Sequence, residues 1–235
     1  MQYLLVFLSA LAPVAVLLFY IYKKDKLQPE PTSWLLKAFV FGVLSVLLSL
    51  VFSYPMSAIL GFINGETYTS IANAFADAFL LAAIPEEVAK LIMLWLLLRK
   101  NPHYDEYFDG IVYSVCVGMG FAGVENVIYL SEGLADGSWI STGIVRALFS
   151  VPAHFLFAVL MGYYYSIYHF GIERNMKTKA LILVAPILAH GIYDGILFSI
   201  SVYEGLAFIL MILFLVFFFK LGKRGKKRID NLMNK

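Results

Sequence analysis

The residues most able to do chemistry in this chain are the adjacent pair Glu86-Glu87, a third glutamate at Glu125, His154, and His190 with Asp194 four residues beyond it. Each lies in a long apolar stretch, and the stretches number four. A charge at bilayer depth costs at least ~2.5–3.5 kcal/mol on insertion scales. A set of this size therefore implies a shared polar site. Glu86-Glu87-Val-Ala-Lys90 is the most informative segment. Neighbouring helical residues point about 100° apart, so the two carboxylates cannot both face one site squarely. Lys90 is four residues from Glu86 and three from Glu87, within reach of either. One glutamate is expected to face the cavity as a general base, with the other supported by Lys90. His190 and Asp194 share a helix face, so the aspartate can steady the imidazole. With His154 at the same level, two imidazoles could bind the attacking water or an oxyanion. They could also join a glutamate in a metal site. Glu125 is a second acid or a partner to a histidine, and Asn126 beside it points to another face as a cross-helix hydrogen bonder.

The elements that must position these groups follow from composition. Of 235 residues, 61% are hydrophobic and 14% charged, with a mean hydropathy of +0.80. That is far too apolar for a soluble domain and indicates an all-α polytopic membrane bundle. About seven spans are predicted, at 3–22, 34–60, 72–98, 108–131, 139–168, 179–200 and 204–220. They form a single domain over 1–235 with its catalytic core at about 72–200. Basic residues follow the first apolar run rather than precede it, so 3–22 is read as a retained helix and not a signal peptide. The lone Cys116 excludes a disulfide framework.

Loop charge sets an expected orientation. Lys23, Lys24 and Lys26, then Arg99 and Lys100, then Arg174, Lys177 and Lys179, and finally the tail from Lys220 to Arg228 all fall on one face. The opposite connections carry Glu66, Glu132, Asp136 and Glu204. The positive-inside rule then puts the N-terminus outside and the C-terminus in the cytoplasm. The tail is read as a topology determinant on anionic headgroups, not as a nucleic-acid site.

Depth supports convergence. Counting 1.5 Å per residue from the basic end, Glu86 lies ~18 Å in, His154 ~22 Å, His190 ~16 Å and Glu125 ~25 Å. Pro85, Pro152 and Pro186 each precede one of these groups. They should free the carbonyls of Leu81, Leu148 and Ile182 and kink their helices. Irregular backbone of this kind is tolerated at depth where it lines a polar cavity. Gly118, Gly120, Gly123, Gly191 and Gly195 allow close helix approach. Arg146, Asp77 and Lys37 lie near span ends, where residence at the membrane interface is the simplest account.

Taken in order, Glu86-Glu87-x-x-Lys90, Phe121-Ala-x-x-Glu125-Asn126, His154-x-x-Phe157 and His190-x-x-x-Asp194 resemble the PrsW family of bacterial intramembrane proteases. They also resemble the wider superfamily of type II CAAX prenyl endopeptidases. That superfamily commonly carries E-E-x-x-x-R, where this chain has Lys90 one position earlier, and often Asn at the place of Asp194. The resemblance implies a multi-pass protein of the bacterial cell membrane. It also implies an endopeptidase that makes the site-1 cut in a single-span anti-sigma factor, which leads to sigma factor release under envelope stress. Within that reading Glu86 is the first choice of base, Glu87 its support or alternative, and Asp194 the residue that orients His190. The H-E-x-x-H motif of zincins is absent. Metal-free catalysis is favoured; if zinc is present, Glu86, Glu125, His154 and His190 are its candidate ligands. The rival class is a proton-coupled transporter or channel built on the same buried Glu/His/Asp cluster, although repeated halves are not evident. Haem held by the two histidines is a third.

Overall fold

The computed structural model describes residues 2–26, 28–60, 70–202 and 204–233. Seven long helical segments lie where the apolar runs predict them. They are α1 (Gln2–Lys24), α2 (Thr32–Leu60), α3 (71–98), α4 (Asp109–Glu132), α5 (Trp139–His169), α6 (Met176–Ile200) and α7 (Ala207–Met233). Glu66 lies outside the described residues, as does the side chain of Glu204. Among the described residues there is no strand. Five of the helices, α1, α2, α4, α5 and α6, are by themselves long and apolar enough to cross a membrane. The other two depart for readable reasons. Segment α3 carries Asp77, Glu86, Glu87 and Lys90, and the apolar part of α7 ends at Lys220.

Burial grades from the centre outward. In α4, 78% of the apolar window is buried within the protein, against 22% in α1. Helix α4 packs on α1, α2 and α5, and α6 packs on α3, α5 and α7. The outer helices keep one inward stripe: Val6, Ala10, Val14 and Ile21 are the buried residues of α1, spaced at helical intervals. Their remaining large side chains, such as Leu4, Phe7, Leu47 and Phe208, are exposed, as a lipid-facing surface requires. The glycines predicted for close approach serve it. A Cβ on Gly120 would collide with the Phe39 carbonyl, and one on Gly42 with the Val117 carbonyl, so α2 and α4 touch backbone to backbone.

Helix starts are locally encoded. The side chains of Ser70 and Asn175 accept the amides of Asn73 and Thr178 at the heads of α3 and α6. Two of the three prolines act on winding. In α3, residues Ala78–Ala83 widen into a π-helix just before Pro85, and in α5, Arg146–Ser150 do so before Pro152. Each proline lacks the N–H that would meet its i−4 carbonyl. Wider turns arise beside it, with Ile84 N–H donating to Phe79 and Val151 N–H to Arg146, five residues back. Pro186 sits inside α6 without such a turn.

Candidate functional site

Helices α3, α4, α5 and α6 bring all six predicted residues to one level. Glu86 and Glu87 follow the π-turn of α3. Glu125 comes from α4, His154 from α5 just past its own π-turn, and His190 with Asp194 from α6. They form one connected chain of polar contacts. Glu125 Oε2 lies 2.7 Å from His154 Nε2. His154 Nδ1 lies 3.3 Å from Lys90 Nζ. Lys90 donates to Glu87 Oε1 at 2.8 Å and to Glu86 Oε2 at 3.1 Å. Glu87 Oε1 lies 3.0 Å from His190 Nδ1, and His190 Nε2 lies 3.0 Å from Asp194 Oδ2.

Aromatic rings fix the imidazoles. Phe157 stacks on His190 with ring centres 4.7 Å apart, and Phe121 lies 3.9 Å beneath the Lys90 ammonium. The two imidazole rings are 5.3 Å apart and nearly perpendicular. The motif phenylalanines thus serve as walls of the site.

The two glutamates divide as the helix geometry requires. The Glu87 side chain is fully buried, held by Lys90 and His190. That of Glu86 is 15% exposed, and its Oε2 stands 3.9 Å from His190 Nε2. An oxygen atom placed between those two could contact both. An ammonium group has no lone pair, so His154 Nδ1 must accept from Lys90 and Nε2–H must face the Glu125 carboxylate. The glutamate therefore selects the tautomer of His154.

Besides Lys90, two side chains outside the six predicted residues belong to the network. Arg146 was expected at the interface. It is instead largely buried, donating Nη2–H to Glu125 Oε2 at 2.8 Å and Nε–H to Asn126 Oδ1 at 2.6 Å. A carboxylate facing it inside the bundle outweighs snorkelling to the surface. The available signal was a cation eight residues before His154 on the same helix. Asn126 in turn donates to the Ala10 carbonyl of α1 at 3.0 Å, the cross-helix bond expected of it. Asp77 is also buried within the protein. Lys37 is exposed, with its ammonium over the Trp34 ring.

Ligand atoms of Glu86, Glu87, His154 and His190 all lie within 4.8 Å of one another. By type and number these donors fit zinc. The outer carboxylates Glu125 and Asp194 also sit where carboxylates orient zinc-bound imidazoles. Glu125 is in this supporting position rather than among the four. Lys90 Nζ stands amid the same donors, so an ion there would displace the ammonium.

The comparisons with known proteins agree with this arrangement. A family model described as "PrsW family intramembrane metalloprotease" matches residues 30–221. A protein named Protease PrsW from Geobacillus kaustophilus (strain HTA426) is 37% identical over 191 residues, covering 81% of this chain and 79% of that protein. Protease PrsW from Clostridioides difficile (strain 630) is 35% identical over 222 residues, covering 92% and 87%. Protease PrsW from Bacillus subtilis (strain 168) is 33% identical over 226 residues, covering 96% of each. No solved structure matches the chain significantly. A helical membrane bundle whose ordered motifs close on one polar centre, matched over most of its length by these relatives, belongs to the PrsW family of intramembrane proteases.

Proposed function

We propose that this protein makes the first cut in a single-span membrane substrate of the anti-sigma factor class, using Glu86 as general base in a metal-free site. The observation that carries the base assignment is the asymmetry of the pair: Glu87 is fully buried and clamped between Lys90 and His190, whereas Glu86 is partly open. The substrate class rests on the family, whose relatives carry the printed name Protease PrsW. The orientation that fits has the N-terminus outside and the basic ends in the cytoplasm. The site would then be reached from within the bilayer.

Glu86 takes a proton from a water held between its carboxylate and His190. The resulting hydroxide adds to the peptide carbonyl carbon. The His190 Nε2–H and the Lys90 ammonium stabilise the oxyanion that develops. As the C–N bond breaks, Glu86 returns its proton to the leaving amine nitrogen. Glu125 and Asp194 keep His154 and His190 oriented. A zinc ion, when bound by Glu86, Glu87, His154 and His190, would polarise the water or the carbonyl oxygen as a Lewis acid. In the metal-free reading the Lys90 ammonium holds the positive charge at that place.

The test is cleavage of reconstituted single-span substrates, anti-sigma factors among them, by purified protein in liposomes. Cleavage by wild type and none by Glu86→Gln, with the variant's folding unchanged, is expected. Equal cleavage by both would remove Glu86 as base. Cleavage of unrelated single-span proteins but of no anti-sigma factor would remove the substrate class.

A further inference from the structure

At the basic end of the bundle, away from the catalytic centre, four carboxylates that belong to no motif gather under the loops. Asp25 follows α1, Glu30 precedes α2, Glu106 lies in the connection before α4, and Asp109 opens α4. Asp25, Glu30 and Asp109 are buried, with Asp109 at 0% exposure. Ligand oxygens of Asp25, Glu106 and Asp109 all lie within 4.8 Å of one another. Glu30 lies against Asp109, accepts the Tyr113 hydroxyl, and donates its own N–H to Asp25 Oδ2 at 3.1 Å.

Two independent observations show that this group is incomplete. First, Asp109 lacks donors on one side: Oδ2 accepts the amides of Asp105 and Glu106 at 3.0 and 2.7 Å, while Oδ1 is buried with no N–H or hydroxyl donor among the described residues, the side-chain contact of this carboxyl being with the Glu30 carboxyl. Glu106 Oε1 is likewise buried and unpartnered. Second, no Lys, Arg or His nitrogen pairs with any of the four among the described residues; nearby Lys24 faces Asp230 at 3.9 Å. Buried carboxylates ordinarily have a cation or a full set of donors. A cavity of about 100 Å³ is bordered by Asp25 and Glu106 together with Lys24 and Lys26.

We infer that Asp25, Glu106 and Asp109 form a site for a hard divalent cation of the Mg²⁺ or Ca²⁺ class, which ties the α1–α2 connection to the head of α4. The donors are all oxygen, which selects such cations over zinc. The catalytic centre, with two imidazoles, has the opposite preference. The site is thus separable from the protease chemistry.

The experiment is calorimetric titration of the purified full chain in detergent with Ca²⁺ and, separately, Mg²⁺, alongside thermal unfolding with and without each ion. Wild type should bind one ion saturably and unfold at a higher temperature when it is bound. Asp109→Asn should weaken binding at least tenfold, and His190→Ala should leave it unchanged. Glu106→Gln, at a partly exposed loop position, gives the same readout if Asp109→Asn does not fold. Absence of binding by wild type at millimolar ion would overturn the inference and leave a proton-sharing carboxylate cluster. So would undiminished binding in these carboxylate variants, or loss of binding in His190→Ala, which would move the ion to the catalytic centre.

Discussion

Arg146 holds Glu125 across two helices, Nη2 to Oε2 at 2.8 Å, and Glu125 in turn holds His154 at 2.7 Å. The guanidinium therefore stands one residue behind the imidazole. Removing it in Arg146→Ala should lower cleavage roughly ten- to a hundredfold, the usual effect of losing a group that orients a reacting side chain. Arg146→Lys should recover part of the rate, since it restores charge but not the second bond to Asn126. Initial rates on a reconstituted substrate measure both.

The glutamate pair should separate chemistry from stability. Glu86→Gln removes the base and should reduce turnover by ~10²–10⁴-fold while the protein unfolds at its normal temperature. Glu87→Gln should also impair cleavage, but with a loss of roughly 1–3 kcal/mol in stability, because Lys90 and His190 lose a buried partner. Thermal unfolding in detergent beside the activity assay distinguishes them; matching stability losses in both variants would contradict the division.

Chelation tests the role of the Lys90 ammonium. Cleavage should survive dialysis against 1,10-phenanthroline, and Lys90→Ala should abolish it. Activity lost on chelation and restored by zinc would instead make Glu86, Glu87, His154 and His190 metal ligands.

Helix approach is tested at Gly120. Gly120→Ala places a methyl group on the Phe39 carbonyl and forces α2 from α4, which should cost roughly 1–3 kcal/mol. Gly205→Ala has open space around its Cβ and should leave the unfolding temperature unchanged.

What could be read in the sequence was set by periodicity and by cost. Apolar runs mark the seven helices, five of them long and apolar enough by themselves to cross a bilayer, and charges that lipid penalises mark Glu86, Glu87, Glu125, His154, His190 and Asp194. Depth counting placed them together because helical rise is uniform. The partition between Glu86 and Glu87 needed coordinates, since two adjacent residues are equivalent until neighbouring helices are in place. Arg146 escaped because distance to a span end does not reveal a carboxylate facing it. The cluster of Asp25, Glu30, Glu106 and Asp109 escaped for a different reason. Its members lie at helix boundaries up to 84 positions apart, where charged residues are ordinary and nothing but tertiary folding joins them.

The π-turn at Ala78–Ala83 makes part of α3 a counted length. Phe75 before it and Phe79 at its start fill the spaces over Gly195 and Gly191 of α6; on its late side stand Glu86 and Glu87. Rewinding the wide turn to ordinary pitch with all its residues kept would rotate the two halves by ~100° relative to each other. Either the phenylalanines would leave their glycine seats or the carboxylates would swing toward lipid. Fusions, truncations and grafts through this stretch must therefore preserve residue count and pitch together, even where they are free to change its apolar side chains.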